Sequence, residues 1–191
     1  MTRKRLSKEE RQKEILEAGM KVFKKKGFVY STMEDIIGET SLSKGGVYHY
    51  YKSTTDILHD LMYFGAKYRT DIMEDTVKKY TESEDLEFAA DTIFEKIVDD
   101  NPYMDIYVQF LIAKEEDENL EKLFQELKKF NRQEFRIKFG ETFECFKDDN
   151  KYDLITNFIN SMIIGAELLG GRNNFKNNEE IIKGAIKILL K

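Results

Sequence analysis

Residues 31–58 read STMEDIIGETSLSKGGVYHYYKSTTDIL, and this stretch decides the fold. Ser31 with Glu34 has the spacing of a capping box, which opens a short helix with Met33, Ile36 and Ile37 facing inward. That helix lasts to about Glu39 or Thr40. Ser41-Leu42 makes a turn, and Ser43 is a suitable N-cap for a second short helix through about Tyr50. Ser53 with Asp56 opens a longer helix carrying Ile57, Leu58, Leu61, Met62, Phe64 and Tyr68. Upstream, Ile15, Ala18, Gly19, Val22 and Phe23 form a helical stripe. Ser7 with Glu10 starts that helix near Lys8. Gly27, after Lys24, Lys25 and Lys26, stops it, because cations suit the negative helix end and glycine accepts a left-handed turn.

Two short helices joined by a tight turn behind a basic arm have the plan of a helix-turn-helix, whose second helix enters the major groove of DNA. Here that helix reads Ser43-Lys44-Gly45-Gly46-Val47-Tyr48-His49-Tyr50. Its first N–H groups suit phosphate or base edges. Lys44 reaches a base acceptor or a phosphate. Gly45 and Gly46 let the backbone approach closely, at a cost of about 1 kcal/mol each relative to alanine. Tyr48, His49, Tyr50, Tyr51 and Lys52 offer hydroxyls, a ring nitrogen and a cation to phosphates, whereas Val47 and Tyr51 read equally as core, with Tyr50 open between the two.

From Arg11 to Leu58 the chain resembles the DNA-binding domain of the tetracycline-repressor (TetR/AcrR) family of bacterial transcriptional regulators. The residues that carry the resemblance are Ile15-Leu16, Ala18, Phe23, Gly27, Phe28, Thr32, Asp35-Ile36, Leu42-Ser43-Lys44-Gly45, Val47-Tyr48, Tyr51-Lys52-Ser53 and Leu58. Three positions depart from the family pattern. Ile37 replaces a small alanine, Ser41 replaces the turn glycine, and Thr54 replaces a lysine that touches phosphate. The resemblance implies roles for matching residues. Thr32 bonds phosphate from the start of the second helix, and Ser43, Lys44, Gly45 and Gly46 face base edges. Tyr48, His49 and Lys52 hold the backbone, and Arg3, Lys4 and Arg5 reach an adjacent minor groove.

The rest of the sequence fits this plan. The chain has 191 residues with 31 Lys+Arg, 36 Asp+Glu, two His, one Cys and one Pro. Residues 1–60 carry 12 cations and 9 anions, net +3, and residues 61–191 carry 19 and 27, net −8. A basic front and an acidic remainder imply two parts with different partners. No apolar run is long enough to span a bilayer, so no membrane partner is expected, and a single Cys fits a reducing cytoplasm. No catalytic, metal-ligand or cofactor-binding pattern stands out. His49 and His59 are ten residues apart outside any metal motif, and Cys145 has no CxxC partner. The expectation is a non-enzyme of all-α class, with a DNA-binding domain over 1–53 and a helical effector-binding and dimerisation domain over 54–191.

In the second part, amphipathic spans are expected over 54–80, 85–99, 103–114, 118–146, 151–170 and 178–190. Breaks fall at Thr81-Glu82-Ser83, Asn101-Pro102, Glu115 to Glu118, Asp148 to Asn150 and Gly170 to Asn177. Span 151–170 carries two stripes: Ile155, Ile159, Met162, Ile163, Ala166 and Leu169 on one, Leu154, Phe158, Ser161, Gly165 and Leu168 on the other. A helix apolar on most sides is buried on most sides, either in a monomeric core or at a subunit interface. The dimer reading places Ile155, Ile159, Met162, Ile163, Ala166, Ile182, Ile186 and Leu189 in a four-helix interface, and the resemblance implies the same homodimer. It also implies a small-molecule effector inside the helical domain. Aromatic and Met side chains suit an apolar or aromatic one, and the candidates are Phe64, Tyr68, Tyr103, Tyr107, Phe110, Phe158 and Met162, each of which also reads as ordinary core. The expected function is a repressor released from a palindromic operator in double-stranded DNA by that effector. The alternative is an interaction protein of the same fold, an effector-dependent partner of another regulator with no operator of its own.

Overall fold

The computed structural model describes residues 7–77, 86–139, 143 and 147–191. Among these there are ten helices and no strand: α1 (Lys8–Lys26), α2 (Met33–Gly38), α3 (Lys44–Tyr50), α4 (Thr54–Val77), α5 (Leu86–Val98), α6 (Met104–Ala113), α7 (Glu118–Phe139), α8 (Asp149–Leu168), α9 (Arg172–Asn177) and α10 (Glu179–Leu190). The break expected at 81–83 and the candidate residues Arg3, Lys4, Arg5 and Cys145 lie outside the described residues.

The local chemistry explains the ends. Ser7 Oγ accepts from Glu10 N while Glu10 returns a carboxylate to Ser7 N, and Gly27 takes φ 85° after three lysines. The second box is shifted by one residue from the expected Ser31/Glu34. Thr32 is the N-cap and Asp35 its partner, so α2 begins at Met33. Ser31 is buried and donates instead to the Gly27 carbonyl at 2.7 Å. Ser43 caps α3 as expected, and Ser53 with Asp56 makes a reciprocal pair at the start of α4.

The chain divides into two compact units: residues up to Gly65 with Asp105–Phe124, and Ala66–Met104 with Gln125–Lys191. The first unit takes in more chain than residues 1–53, for two reasons. The opening turns of α4 supply Ile57, Leu58 and Leu61, all fully buried, beside Ile15, Phe23, Ile36 and Val47. Gln109 of α6 then ties into the end of α1, accepting from Phe28 N at 2.7 Å and donating to Phe23 O at 3.2 Å. Gly19 is fixed by packing, since a Cβ there would lie 2.6 Å from Ile57 Cγ2. In the second unit α5 packs with α8 and α10, burying Phe88, Ile93, Ile97, Ile155, Ile163 and Ile186.

Helix α9 falls where the sequence gives a break. Its three asparagines are poor helix formers. It is held by packing instead. Gly170 turns with φ 68°, Gly171 N donates to Gly165 O at 3.0 Å, and Phe175 lies against Gly165, where a Cβ would be 3.3 Å from its Cζ. Gly165 therefore admits this chain's own Phe175.

Candidate nucleic-acid interface

The side chains expected to read DNA are collected on α2, α3 and the turns beside them. Ser43 is an exposed N-cap whose Oγ accepts from Gly46 N at 3.2 Å, leaving the first N–H groups of α3 open. A Cβ on Gly45 would meet nothing within 4 Å, so the fold itself does not require glycine there. Val47, one turn on, is fully buried. Helix α3 is thus anchored by one side and bare on the other.

Lys44 is exposed and its Nζ pairs with Glu34 Oε1 of α2 at 2.9 Å. The hydrogen bond to Glu34 raises the lysine pKa, and the same bond to Lys44 lowers that of the glutamate. The ammonium also lies 5.7 Å from the Tyr48 ring centroid. Lys52 donates to the Tyr48 carbonyl. His49 is exposed and meets Tyr50 edge-on at 5.0 Å. Tyr51, by contrast, is core. It is buried, its hydroxyl donates to Asp60 at 2.7 Å, and burial pushes its pKa up.

Thr32 is exposed at the same surface, but its hydroxyl already serves the cap and donates to Asp35 Oδ2 at 2.9 Å. Asp35 is held at a pKa of about 2, first by Lys26 and then by Thr32. The two departures in the turn have local compensations. Ser41 N donates to Glu14 at 2.5 Å, and Thr40 Oγ1 donates to Ile37 O at 3.0 Å. Ile37 is half-buried rather than fully inward.

Sequence reasoning passed over Tyr30, which is 79% exposed beside Thr32, and Glu34 as the partner of Lys44. Tyr30 was legible as the aromatic before the cap that belongs to no helical stripe. The Glu34–Lys44 pairing was not, because it depends on how α2 crosses α3.

The expected effector residues are drawn from both units. Phe64, Tyr107 and Phe110 belong to the first unit, and Tyr68, Tyr103, Phe158 and Met162 to the second. Phe110 is fully buried with Tyr107 at 6.1 Å and Phe124 at 6.4 Å, which is the setting of a core residue. Phe64 is 49% exposed. In the second unit the Tyr68 and Tyr103 rings are 5.9 Å apart.

The expected dimer stripe is largely covered within the chain. Ile155, Ile159, Ile163, Ala166 and Ile186 are buried within the chain, while Met162, Ile182 and Leu189 are partly covered. The opposite faces are the open ones, with Leu154 and Leu168 on α8, Leu169 just beyond it, and Ile181 and Ile188 on α10 all exposed. Periodicity located both stripes of α8 but gave no sign of which one α5 covers.

Among the described residues no cluster of His, Cys, Asp and Glu suits a metal ion, and no helix is long and apolar enough to cross a membrane. A capped reading helix with one anchored and one bare side, behind a basic first helix, defines a helix-turn-helix unit of the DNA-binding regulator class. Residues 15–61 match the tetR family of bacterial regulatory proteins. An uncharacterized HTH-type transcriptional regulator of Bacillus subtilis (strain 168), YfiR, is 47% identical over 58 residues. That match takes in 30% of this chain and 28% of YfiR. The fold of the whole chain is similar to that of Salmonella enterica GusR, with a TM-score of 0.79 at 11% identity over 98% of this chain and 99% of that one. It is also similar to a TetR-family regulator from Syntrophomonas wolfei, with a TM-score of 0.71 at 20% identity over 96% of each chain.

Proposed function

We propose that the protein is a transcriptional repressor that binds a palindromic operator as a homodimer and is released by a small-molecule effector held in the helical region after residue 53. The observation that carries the reading is the bare side of α3. Lys44 is exposed and Gly45 has no intramolecular reason to be glycine, so both serve a surface that approaches from outside. Gly46, Tyr48, His49 and Lys52 complete the reading surface, with Thr32 on the backbone and the N-terminal Arg3, Lys4 and Arg5 reaching an adjacent minor groove. Release follows by linkage. An effector that favours a DNA-incompetent dimer lowers DNA affinity by the factor by which DNA lowers effector affinity. The reading is tested by following a preformed protein–DNA complex while cell extract fractions of small molecules are added. Loss of the complex supports effector release, and a complex that no fraction dissociates contradicts it.

A homodimer through the open faces of α8 and α10 is supported by their exposed leucines and isoleucines, since contiguous apolar surface of this kind marks interfaces. Leu168→Glu with Ile188→Glu is expected to give a folded monomer in sedimentation velocity with no operator affinity. A dimer that survives both substitutions places the interface elsewhere.

Thr54 stands, half-buried, at the first position of α4. Thr54→Lys is expected to tighten DNA binding and to steepen the salt dependence by about one released counterion. An unchanged slope removes this position from the interface.

A further inference from the structure

A cavity of about 620 Å³ opens in the first unit, where the first turns of α1, the end of α3 and the starts of α4 and α7 meet. Its floor is apolar. Tyr51, Leu120 and Leu123 line it and are otherwise buried. The rest of its lining is polar, with the amides of Gln12 and Asn119 and the carboxylates of Asp56 and Asp60. No lysine or arginine is among the lining residues. Residues 115–118, just before Asn119, are all acidic, and Lys114 beside them pairs with Glu115 and Glu121.

The two helix starts at the cavity spend donors on carboxylates of the chain itself. Asp56 Oδ2 accepts from Lys52 N at 2.8 Å and from Ser53 N at 3.0 Å. Asp117 Oδ1 accepts from Asn119 N at 2.8 Å and from Leu120 N at 3.3 Å. These pairings offset the pull of the helix ends on an anion. Asp60 is less committed. Its Oδ2 accepts from the Tyr51 hydroxyl at 2.7 Å, and its Oδ1 lies 3.6 Å from His59 Nδ1, beyond hydrogen-bond length. An ionised carboxylate has about four acceptor sites, so Asp60 keeps capacity for a charged donor.

A space of this size suits a small organic molecule. A carboxylate and a tyrosine ring both favour an ammonium, and buried leucines favour a hydrocarbon body. We propose that this cavity binds a small arylalkyl amine, with its ammonium on Asp60 and its apolar body against Tyr51, Leu120 and Leu123. None of the candidate effector residues lines it, so the site is additional to the effector reading and does not depend on it.

The test uses the full chain, with 2-phenylethylamine and 4-phenylbutylamine as probes and the corresponding alcohols as neutral controls. Calorimetry at neutral pH is expected to show saturable binding of an amine with a Kd below about 1 mM and at least about tenfold weaker binding of its alcohol. Asp60→Asn keeps an acceptor for the Tyr51 hydroxyl and removes the charge, and is expected to lose the preference for amine over alcohol. Asn119→Arg brings a cation to an exposed position of the lining. It is expected to weaken amine binding at least about tenfold while leaving the helicity and Tm of the free protein unchanged, which keeps the test decisive even if Asp60→Asn fails to fold. Alcohols that bind as well as amines, neither amine binding in that range, or undiminished amine binding in Asn119→Arg would overturn the proposal. Binding is read without DNA, so its failure leaves the effector reading untouched.

Discussion

Lys44→Ala is expected to lower affinity for the operator by about 10- to 100-fold, the loss of one good base or phosphate contact of about 1–3 kcal/mol. The fold pays little for the change. The ammonium is exposed, its described ion-pair partner is the equally exposed Glu34, and such surface pairs contribute little to stability. Helicity and Tm therefore stay constant while anisotropy records the weaker complex. The partner substitution acts in the opposite sense. Glu34 holds a carboxylate beside the reading helix, and its lowered pKa keeps it charged at neutral pH. Glu34→Gln is expected to tighten binding by removing a like charge from the phosphates and releasing Lys44. Because the pair is formed in the free protein, docking on DNA exchanges one charged partner of Lys44 for another. Unchanged affinity in Lys44→Ala would remove this side chain from the groove.

Phe110→Ala is expected to destabilise the protein by about 3–5 kcal/mol, as measured by urea unfolding, because it empties a fully buried aromatic site between Tyr107 and Phe124. Position 110 is a candidate effector contact by sequence, and the two roles give different results. A ligand-lining residue, when truncated, changes ligand affinity and leaves stability close to wild type. A core residue lowers stability whether ligand is present or absent. The neighbouring Gln109 adds to the expectation, since α6 holds the Phe23 carbonyl and the Phe28 amide through it. Loosening α6 at Phe110 therefore loosens the end of α1 as well. A loss below about 1 kcal/mol would return Phe110 to the effector site.

What was legible in the sequence follows the range of the forces involved. Helix ends set by neighbours three residues apart, such as Ser7 with Glu10 and Ser53 with Asp56, stand as read. At α2 two overlapping boxes competed. Thr32 won because Ser31 turns inward to the Gly27 carbonyl. Helix α9 escaped because its stability comes from Phe175 packing on Gly165 and not from Arg172–Asn177 themselves. The two stripes of α8 are equal in sequence, and only the packing of α5 and α10 decides that Ile155 and Ile163 go inward and Leu154 and Leu168 stay out. Gln109 and Asp60 carried no signal. Each reads as the polar face of a helix until contacts outside that helix give it a partner.

The central claim is sequence-specific DNA binding by α3. Its most direct measurement is a titration of the full chain into labelled DNA from upstream of its own gene, beside a scrambled duplex, at several salt concentrations. The account predicts a preference of about 10³ or more for the native duplex, two subunits bound per site, and a linear fall of log affinity with log salt. Equal and weak binding to both duplexes, with the protein folded, would contradict it.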